Sequence, residues 1–154
     1  MTHRWWTTLA ILAATVPPAA AVPPQFESPQ TRPLSVAGDL VLAVNTPDQR
    51  LSVFAWNGGE LSLLREIRVG LEPIAVAARD DTVAWVTNHL SDDISIVNIR
   101  EGTVEATVAA GDEPAQVAFL KNPAGGPQDL LAAITLSSED RVVFHRDTYP
   151  FERV

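Results

Sequence analysis

Short apolar runs separated by turn-forming residues make up most of the chain after about residue 32. Each run is rich in Val, Ile, Leu and Thr, and clusters of Gly, Pro, Asn and Asp divide one run from the next. This pattern is typical of β-strands joined by tight turns. Residues 94–99 and 103–108 alternate with a period of two, as strands do, and no segment of this region shows a helical period. We therefore predict an all-β fold.

The apolar runs recur at a nearly constant interval along the chain. A segment of the form x-Pro-x-x-Val-Ala contains Pro33, Pro73 and Pro114, which are almost evenly spaced. Three further sets of segments recur in the same order, and they are 41–45, 84–88 and 131–135; 50–54, 93–97 and 140–144; and 67–70 with 108–111. One spacing kept by four separate segments indicates a repeat architecture.

Each repeat contains four predicted strands, which is the content of one β-propeller blade. We predict blades at about 33–70, 71–111 and 112–154, after a linker at 22–31. The predicted strands are 33–37, 40–45, 50–56 and 61–69; 73–78, 82–87, 93–99 and 103–109; and 114–119, 129–135, 140–146 and 151–154.

Two full blades and most of a third cannot close a ring, so the expected fold is an incomplete propeller of four-stranded antiparallel blades. Its open apolar blade faces would favour self-association. We expect the N-terminal part of a larger propeller or a truncated product. Completion of the ring by other chains and a self-standing sandwich are the alternatives.

The segment 1–21 has the three-part layout of a secretory signal peptide. Met1–Arg4 is short and basic, residues 5–16 are mainly apolar, and Ala19–Ala21 supplies small residues after Pro17-Pro18. Cleavage is expected after Ala21. The apolar run of about 12 residues is shorter than the roughly 20 that a membrane span needs, so we expect a periplasmic or secreted protein with no stable span after cleavage.

Residues 85–114 carry a family resemblance. They read WVTNHLSDDISIVNIREGTVEATVAAGDEP, which resembles the repeat of the YVTN, or surface-layer-type, β-propellers of the wider WD40/YVTN-like class. Trp85 stands where that repeat usually has Tyr, Asn98 where it has Asp and Ala110 where it has Val. The resemblance covers about residues 32–146 and implies a secreted or periplasmic propeller.

The resemblance is specific for fold and poor for function, because propellers host unrelated activities. The leading expectation is a non-catalytic binding or scaffold module with a protein or small-molecule ligand on the propeller face. The alternative is a portion of a lactonase-like or redox-linked propeller enzyme whose active residues lie in blades beyond this chain.

The composition excludes several classes of ligand and of reaction. The formal net charge is -8, from 11 basic and 19 acidic residues, so we expect no nucleic-acid partner, because phosphate binding needs clustered Lys and Arg. The chain has no Cys, which excludes disulfides, thiolate nucleophiles and Cys-ligated metals. Nucleophile and phosphate-loop motifs are missing as well. We predict no catalytic residue, metal site or cofactor.

The clearest candidate surface is an acidic rim. In a propeller, the loop from the second to the third strand and the loop to the next blade lie on the same face. Those loops hold Asp48, Glu72, Asp92, Asp93, Asp112, Glu113, Glu139 and Asp140, and His89 lies beside them. Such a rim would attract a cation or a cationic partner, although Asp and Glu are common in turns in any case.

His89 has two interpretations. Together with Asp92 and Asp93 it could form a metal site or an acid–base pair. The same Asp-Asp pair is also ordinary turn chemistry ahead of the strand that begins near Ile94. One His and two Asp without a fixed spacing form a weak motif, so we name these residues as part of the rim and assign them no catalytic role.

Overall fold

A computed structural model describes residues 29–121, 130–136 and 141–147. It contains eleven strands, β1 to β11, which are Leu34–Ala37, Leu40–Asn45, Arg50–Trp56, Leu61–Arg68, Pro73–Ala78, Val83–Asn88, Asp93–Asn98, Thr103–Ala109, Pro114–Lys121, Leu130–Leu136 and Arg141–Asp147. These bounds closely follow the predicted ones. The predicted strand at 151–154 falls outside the described residues.

The strands form three antiparallel sheets in chain order. Blade 1 is β1-β2-β3-β4, blade 2 is β5-β6-β7-β8, and blade 3 has β9, β10 and β11 in the order β11-β10-β9. Strands β1, β5 and β9 pack near one another and so lie innermost. The fold prediction of an all-β, incomplete propeller is confirmed, and the described sheets do not close a ring.

Blades 1 and 2 are held together by a continuous apolar layer. We call the face of each blade that looks toward the next blade its forward face, and the opposite face its rear face. The forward face of blade 1 packs on the rear face of blade 2 in one core cluster, made of Ala37, Leu40, Leu42, Val44, Leu51, Val53, Ile67, Val76, Ala84, Val86, Val97 and Ile99. Alternation along each strand places these side chains on one face.

A second apolar layer joins blade 2 to blade 3. It contains Ala77, Val83, Trp85, Ile94, Ile96, Ala110, Val117, Ile134 and Leu136. Trp85 is 2% exposed, and its ring meets that of Phe119 edge to face with centroids 5.4 Å apart. Trp85 therefore packs between blades 2 and 3. Blade 2 is thus covered on both faces, as β5, β6 and β7 show by being almost entirely buried.

The register of the third repeat differs from the sequence comparison by one position. That comparison aligned Ile134 with Thr87 of the second repeat, and Thr135 with Asn88. In the structure, Ile134 pairs with Val117 as Val86 pairs with Val76 in blade 2. A slip by one position turns each side chain to the other face of a strand, and the observed register buries Ile134 in the layer against blade 2.

The segment ahead of β1 lies across the inner strands. Arg32 forms an isolated parallel bridge with Ala75 of β5, and the Thr31 amide donates to the Ile74 carbonyl at 3.1 Å. The Thr31 hydroxyl reaches the Ala115 carbonyl of β9 at 2.5 Å. The C-terminal end of the predicted linker therefore ties all three blades together.

Gln30 and Thr46 extend this attachment. The Gln30 amide donates to the Thr46 hydroxyl at 2.9 Å, and that hydroxyl donates to the Pro73 carbonyl at 2.7 Å. Thr46 is 3% exposed, so its polar group needs these partners. In the described residues every named element is a strand, and none is a helix long and apolar enough to cross a membrane.

Trp85 offers a test of the layer between blades 2 and 3. Trp85→Ala should lower the free energy of unfolding by about 3–5 kcal/mol, because it leaves a cavity where the indole ring was buried. Trp85→Phe should cost below about 1.5 kcal/mol, since it keeps a ring there and removes an indole N–H that has no partner in the described structure. Urea unfolding measures both.

Leu90→Ala is the matched control, since Leu90 is 61% exposed in a loop and its truncation should change stability by no more than about 0.5 kcal/mol. Equal losses for the two Trp85 variants would contradict the packing role of the ring.

Candidate functional site

Two kinds of loop meet at one end of the sheets, which we call the upper end. The loop from the second to the third strand of blade 2 spans 89–92, and the loops that lead from β4 to β5 and from β8 to β9 span 69–72 and 110–113. Hydrogen bonds join them into one layer. The lower end carries the hairpins at 38–39, 57–60, 79–82 and 99–102.

Three hydrogen bonds join the 69–72 loop to the 89–92 loop. The His89 amide donates to the Glu72 carbonyl at 2.9 Å, and the Leu90 amide donates to the Leu71 carbonyl at 3.3 Å. The Leu71 amide in turn donates to the Ser91 hydroxyl at 3.0 Å. Glu72 and His89 are thereby held side by side, although 17 positions separate them in the chain.

Asp92 makes the next link, from blade 2 to the loop that enters blade 3. Its carbonyl accepts from the Ala110 amide at 3.0 Å, and its carboxylate accepts from the Glu113 amide at 3.0 Å. The carboxylate of an exposed turn residue thus fixes the backbone of the adjoining loop. In blade 1 the equivalent link runs from the Val69 amide to the Gln49 carbonyl at 3.0 Å.

Asn88 organises the base of this layer. The side chain is fully buried, and its amide donates to the Asp93 carboxylate at 2.6 Å and to the Ser95 hydroxyl at 2.8 Å. The Asn88 Oδ1 and the His89 Nδ1 have no hydrogen-bond partner among the described residues. Buried polar atoms of this kind are normally satisfied by water or a ligand.

Gly70 is required by the close approach of Asn88. A Cβ at this position would lie 2.6 Å from Asn88 Cγ and 2.6 Å from Ser91 Oγ, closer than real Cβ atoms come to other atoms. Glycine therefore lets the 69–72 loop rest directly on the Asn88 side chain.

Left-handed backbone recurs at matching positions of successive repeats. Gln49 and Asp92, each just before the third strand, have φ of 57°, and Glu72 and Glu113, each just before the repeat proline, have φ of 48° and 51°. Non-glycine residues seldom adopt this conformation. Because it recurs in consecutive units, it belongs to the turn geometry of the repeat.

The upper end collects the described residues of the predicted acidic rim. Asp48, Asp92, Asp112 and Glu113 are exposed, whereas Glu72, His89 and Asp93 are half-buried. Asp48 lies one blade away in the equivalent loop, where its carboxylate accepts from the Asn45 amide at 2.9 Å. Glu139 and Asp140 lie outside the described residues.

The structure gives some of these carboxylates local roles. Those of Asp48, Asp92 and Asp93 accept hydrogen bonds within the loop layer. Across the described ranges, no three His, Asp or Glu side chains are grouped so that they could hold a metal ion. A binding role for the rim stays a prediction.

A shallow cleft of about 310 Å³ opens beside this layer, where the end of β4 meets β7 and β8. Its walls are Arg68, Val69, Gly70, Asp93, Ser95, Val104 and Thr107. The hydroxyls of Ser95 and Thr107 face the same way, since the two residues are paired across β7 and β8. Hydroxyl and carboxylate groups beside Val side chains suit a small polar ligand.

Reasoning from the sequence missed Asn88, Ser95 and Gly70 as organisers of the site. Asn88 was visible as the last residue of the Val-Thr-Asn strand, and Gly70 as the glycine three positions before Pro73. The sequence does not show that these two residues touch.

The lower end differs in that some of its charges form ion pairs. The Arg100 guanidinium lies 2.6 Å from the Asp81 carboxylate, and this hydrogen bond and the positive charge lower the pKa of Asp81. Arg79 lies 3.9 Å from Asp80. Both pairs are accessible to solvent at their carboxylates and contribute little to stability.

Comparisons with known proteins bear on the fold alone. No family model matches the chain, and no curated protein matches it. A solved structure of Kuenenia stuttgartiensis hydrazine synthase is similar, with a TM-score of 0.55, 16% identity and coverage of 78% of this chain. The match spans 38% of that chain. The resemblance to the YVTN repeat stays a prediction.

Gly70 gives a test of the loop layer. Gly70→Ala should lower the free energy of unfolding by about 1–3 kcal/mol, because the added methyl group overlaps Asn88 and Ser91. Gly59→Ala is the matched control, since a Cβ there meets nothing within 4 Å. Denaturant unfolding of both variants measures the difference. Similar stability for the two would show that Asn88 moves aside at little cost.

Proposed function

We propose that this chain is a non-catalytic β-propeller binding module whose upper rim engages a cationic partner, a Lys- or Arg-rich protein segment. The observation that supports this most is the hydrogen-bonded loop layer. It brings Glu72, Asp92 and Glu113 from loops of two blade junctions onto one surface. A surface assembled from separate loops on a rigid sheet scaffold is the usual place for binding residues.

Charge supports a basic ligand. Six acidic residues lie at the described upper end, Asp48, Glu72, Asp92, Asp93, Asp112 and Glu113, against four arginines, Arg32, Arg50, Arg68 and, at the start of β11, Arg141. The whole chain has a net charge of -8. A negative potential over the rim raises the encounter rate with a cationic segment and weakens as salt is added.

The proposal includes export of the chain from the cytoplasm. The basic start, the apolar run and the Ala19–Ala21 motif of the segment 1–21 support translocation and cleavage, so the partner would be met in the periplasm or outside the cell. A fold that uses no disulfide relies on its packed sheets in either place.

The enzyme alternative has less support. The name of the similar structure is that of a synthase, but likeness at 16% identity extends to the fold, and folds of this class host unrelated activities. The described residues offer the rim and the small cleft, both of which are suited to binding.

A labelled oligolysine peptide is a direct probe of the rim. We expect binding at low salt, by fluorescence anisotropy, that weakens as salt rises. The triple variant Asp48→Asn, Asp112→Asn and Glu113→Gln should weaken binding by about tenfold, at a fraction of a kcal/mol for each exposed charge.

The control variant changes the same number of charges at the lower end, as Asp39→Asn, Glu60→Gln and Glu101→Gln. These three residues are exposed, and the net charge changes equally, so this variant should bind almost as the unmodified chain does. Equal weakening in both variants would mean diffuse attraction and would contradict a rim site. Absence of binding at low salt would contradict a cationic partner.

A further inference from the structure

The cleft beside the loop layer has one wall that is rich in hydrogen-bond acceptors. Asp93 and Ser95 alternate along β7, and Ser95 is paired with Thr107 of β8, so the three side chains lie on the same face of blade 2. Ile94 and Ile96 point the other way, into the layer against blade 3. One carboxylate and two hydroxyls therefore face blade 1 across a cleft of about 310 Å³.

Asn88 orients two of these acceptors from the buried side. Asn88 is 0% exposed, and its amide nitrogen donates both to the Asp93 carboxylate and to the Ser95 hydroxyl. An ionised carboxylate can only accept, so the nitrogen end of the Asn88 amide must face it. The Ser95 oxygen receives the other N–H, which leaves its own proton and one lone pair for a ligand.

The acceptors of this wall outnumber its donors. Oδ1 of Asp93 accepts from Asn88, whereas the second carboxylate oxygen and the Thr107 hydroxyl have no hydrogen-bond partner within the part of the chain that the structure describes. Oδ1 of Asn88 is a further buried acceptor without a partner there. A ligand group that carries several donors and a positive charge would complement this wall.

Arg68 borders the cleft, but its side chain is directed away from it. Ile67 and Val69, on either side of Arg68, pack into the apolar layer between blades 1 and 2, so alternation turns the Arg68 side chain to the opposite face. Its guanidinium donates to the side-chain oxygen of Gln49 at 3.3 Å. Asp93 is therefore the charged side chain that the described cleft presents to a ligand.

The remaining walls of the cleft are apolar. Val104 is paired with Val97, which is buried in the layer toward blade 1, and Val69 approaches from blade 1 on the other side. Gly70, next to Val69, adds no side chain. An alkyl chain that ends in a compact cation fits such walls, because its methylene groups cover apolar surface while its charged end reaches the acceptors.

We propose that this cleft receives the side chain of one lysine of the partner. Its ammonium group lies against Asp93, Ser95 and Thr107, and its methylene groups lie between Val69 and Val104. This inference rests on the cationic partner proposed for the rim, with which the cleft shares Asp93.

The arrangement selects lysine over arginine. An ammonium group is a compact charge with three donors, which matches one carboxylate and two hydroxyls, whereas a guanidinium is a planar fork suited to both oxygens of one carboxylate. Asn88 already donates to one oxygen of Asp93, so that two-point contact is disfavoured.

A blocked lysine, N-acetyl-L-lysine methylamide, tests the cleft apart from the rim. Titrated into the ¹⁵N-labelled full chain at low salt, it should shift the amide signals of residues 68–70, 93–95 and 104–107, with a dissociation constant on the order of 1 mM. The Nε-trimethyl form keeps the charge but has no ammonium N–H to donate, so it should bind about tenfold more weakly. The blocked arginine should also bind more weakly than the blocked lysine.

Two variants remove acceptors from the wall. Asp93→Asn should weaken binding of the blocked lysine by about tenfold, because the charge is lost, while the new amide oxygen can still accept from Asn88. Thr107→Val should weaken it by about threefold, because one neutral hydrogen bond is lost. Thr107 is exposed, so circular dichroism and the melting transition should report a folded chain.

The matched controls are Asp39→Asn and Thr103→Val. Asp39 is exposed at the lower end, and Thr103 is exposed on β8 outside the cleft. The first control makes the same change of charge as Asp93→Asn and the second the same loss of a hydroxyl as Thr107→Val. Both should bind the blocked lysine as the unmodified chain does.

Three outcomes would overturn the inference. They are the absence of shifts around the cleft, equal binding of the lysine and its trimethyl form, and equal weakening by the cleft variants and their controls. The rim is tested separately by oligolysine and the triple variant of Asp48, Asp112 and Glu113, none of which lines the cleft. Oligolysine binding that depends on those three residues, without shifts around the cleft, would contradict the lysine cleft and leave the rim proposal standing.

Discussion

Face-to-face packing of one sheet on the next is the interaction on which this structure depends. A single blade has two apolar faces and no helix to cover either, so it is stable only between neighbours. Blade 2 has a neighbour on each face, and Val86 on one face and Ile96 on the other are both fully buried. The same packing sets the loops side by side at the upper end, so the candidate site is a consequence of the stacked blades.

Much of this arrangement can be predicted from the sequence, because the strands, the turns and the size of a blade are each encoded locally and then repeated. The alternation at Ile94–Ile99 and the prolines at positions 33, 73 and 114 locate the strands closely. The strand register of the third repeat is harder to predict. An apolar stretch such as 130–136, Leu-Leu-Ala-Ala-Ile-Thr-Leu, fits either register by composition, and only packing against blade 2 decides that Ile134 faces inward.

The candidate site was predictable at the level of loops and unpredictable at the level of contacts. Propeller topology alone brings the acidic residues to one end, whereas the partner of each carboxylate depends on backbone positions that no periodicity reports. Asp92 illustrates the difference. The sequence identifies it only as a turn residue, whereas in the structure its carboxylate accepts a hydrogen bond from the backbone of the loop that enters blade 3. Asn88 and Gly70 are 18 positions apart, and their contact follows from how two blades stack.

The bond from Thr31 to Ala115 has a consequence for the order of events during biosynthesis. Its two ends are 84 positions apart, so the segment ahead of β1 cannot reach its final place until β9 exists. Hairpins and whole blades form from near neighbours in sequence, and contacts between distant residues form late because their loop closure is costly. In a chain that leaves the ribosome N-terminus first, this early segment therefore stays undocked until the later strands have formed. The docking of that segment across the inner strands then follows the formation of β9.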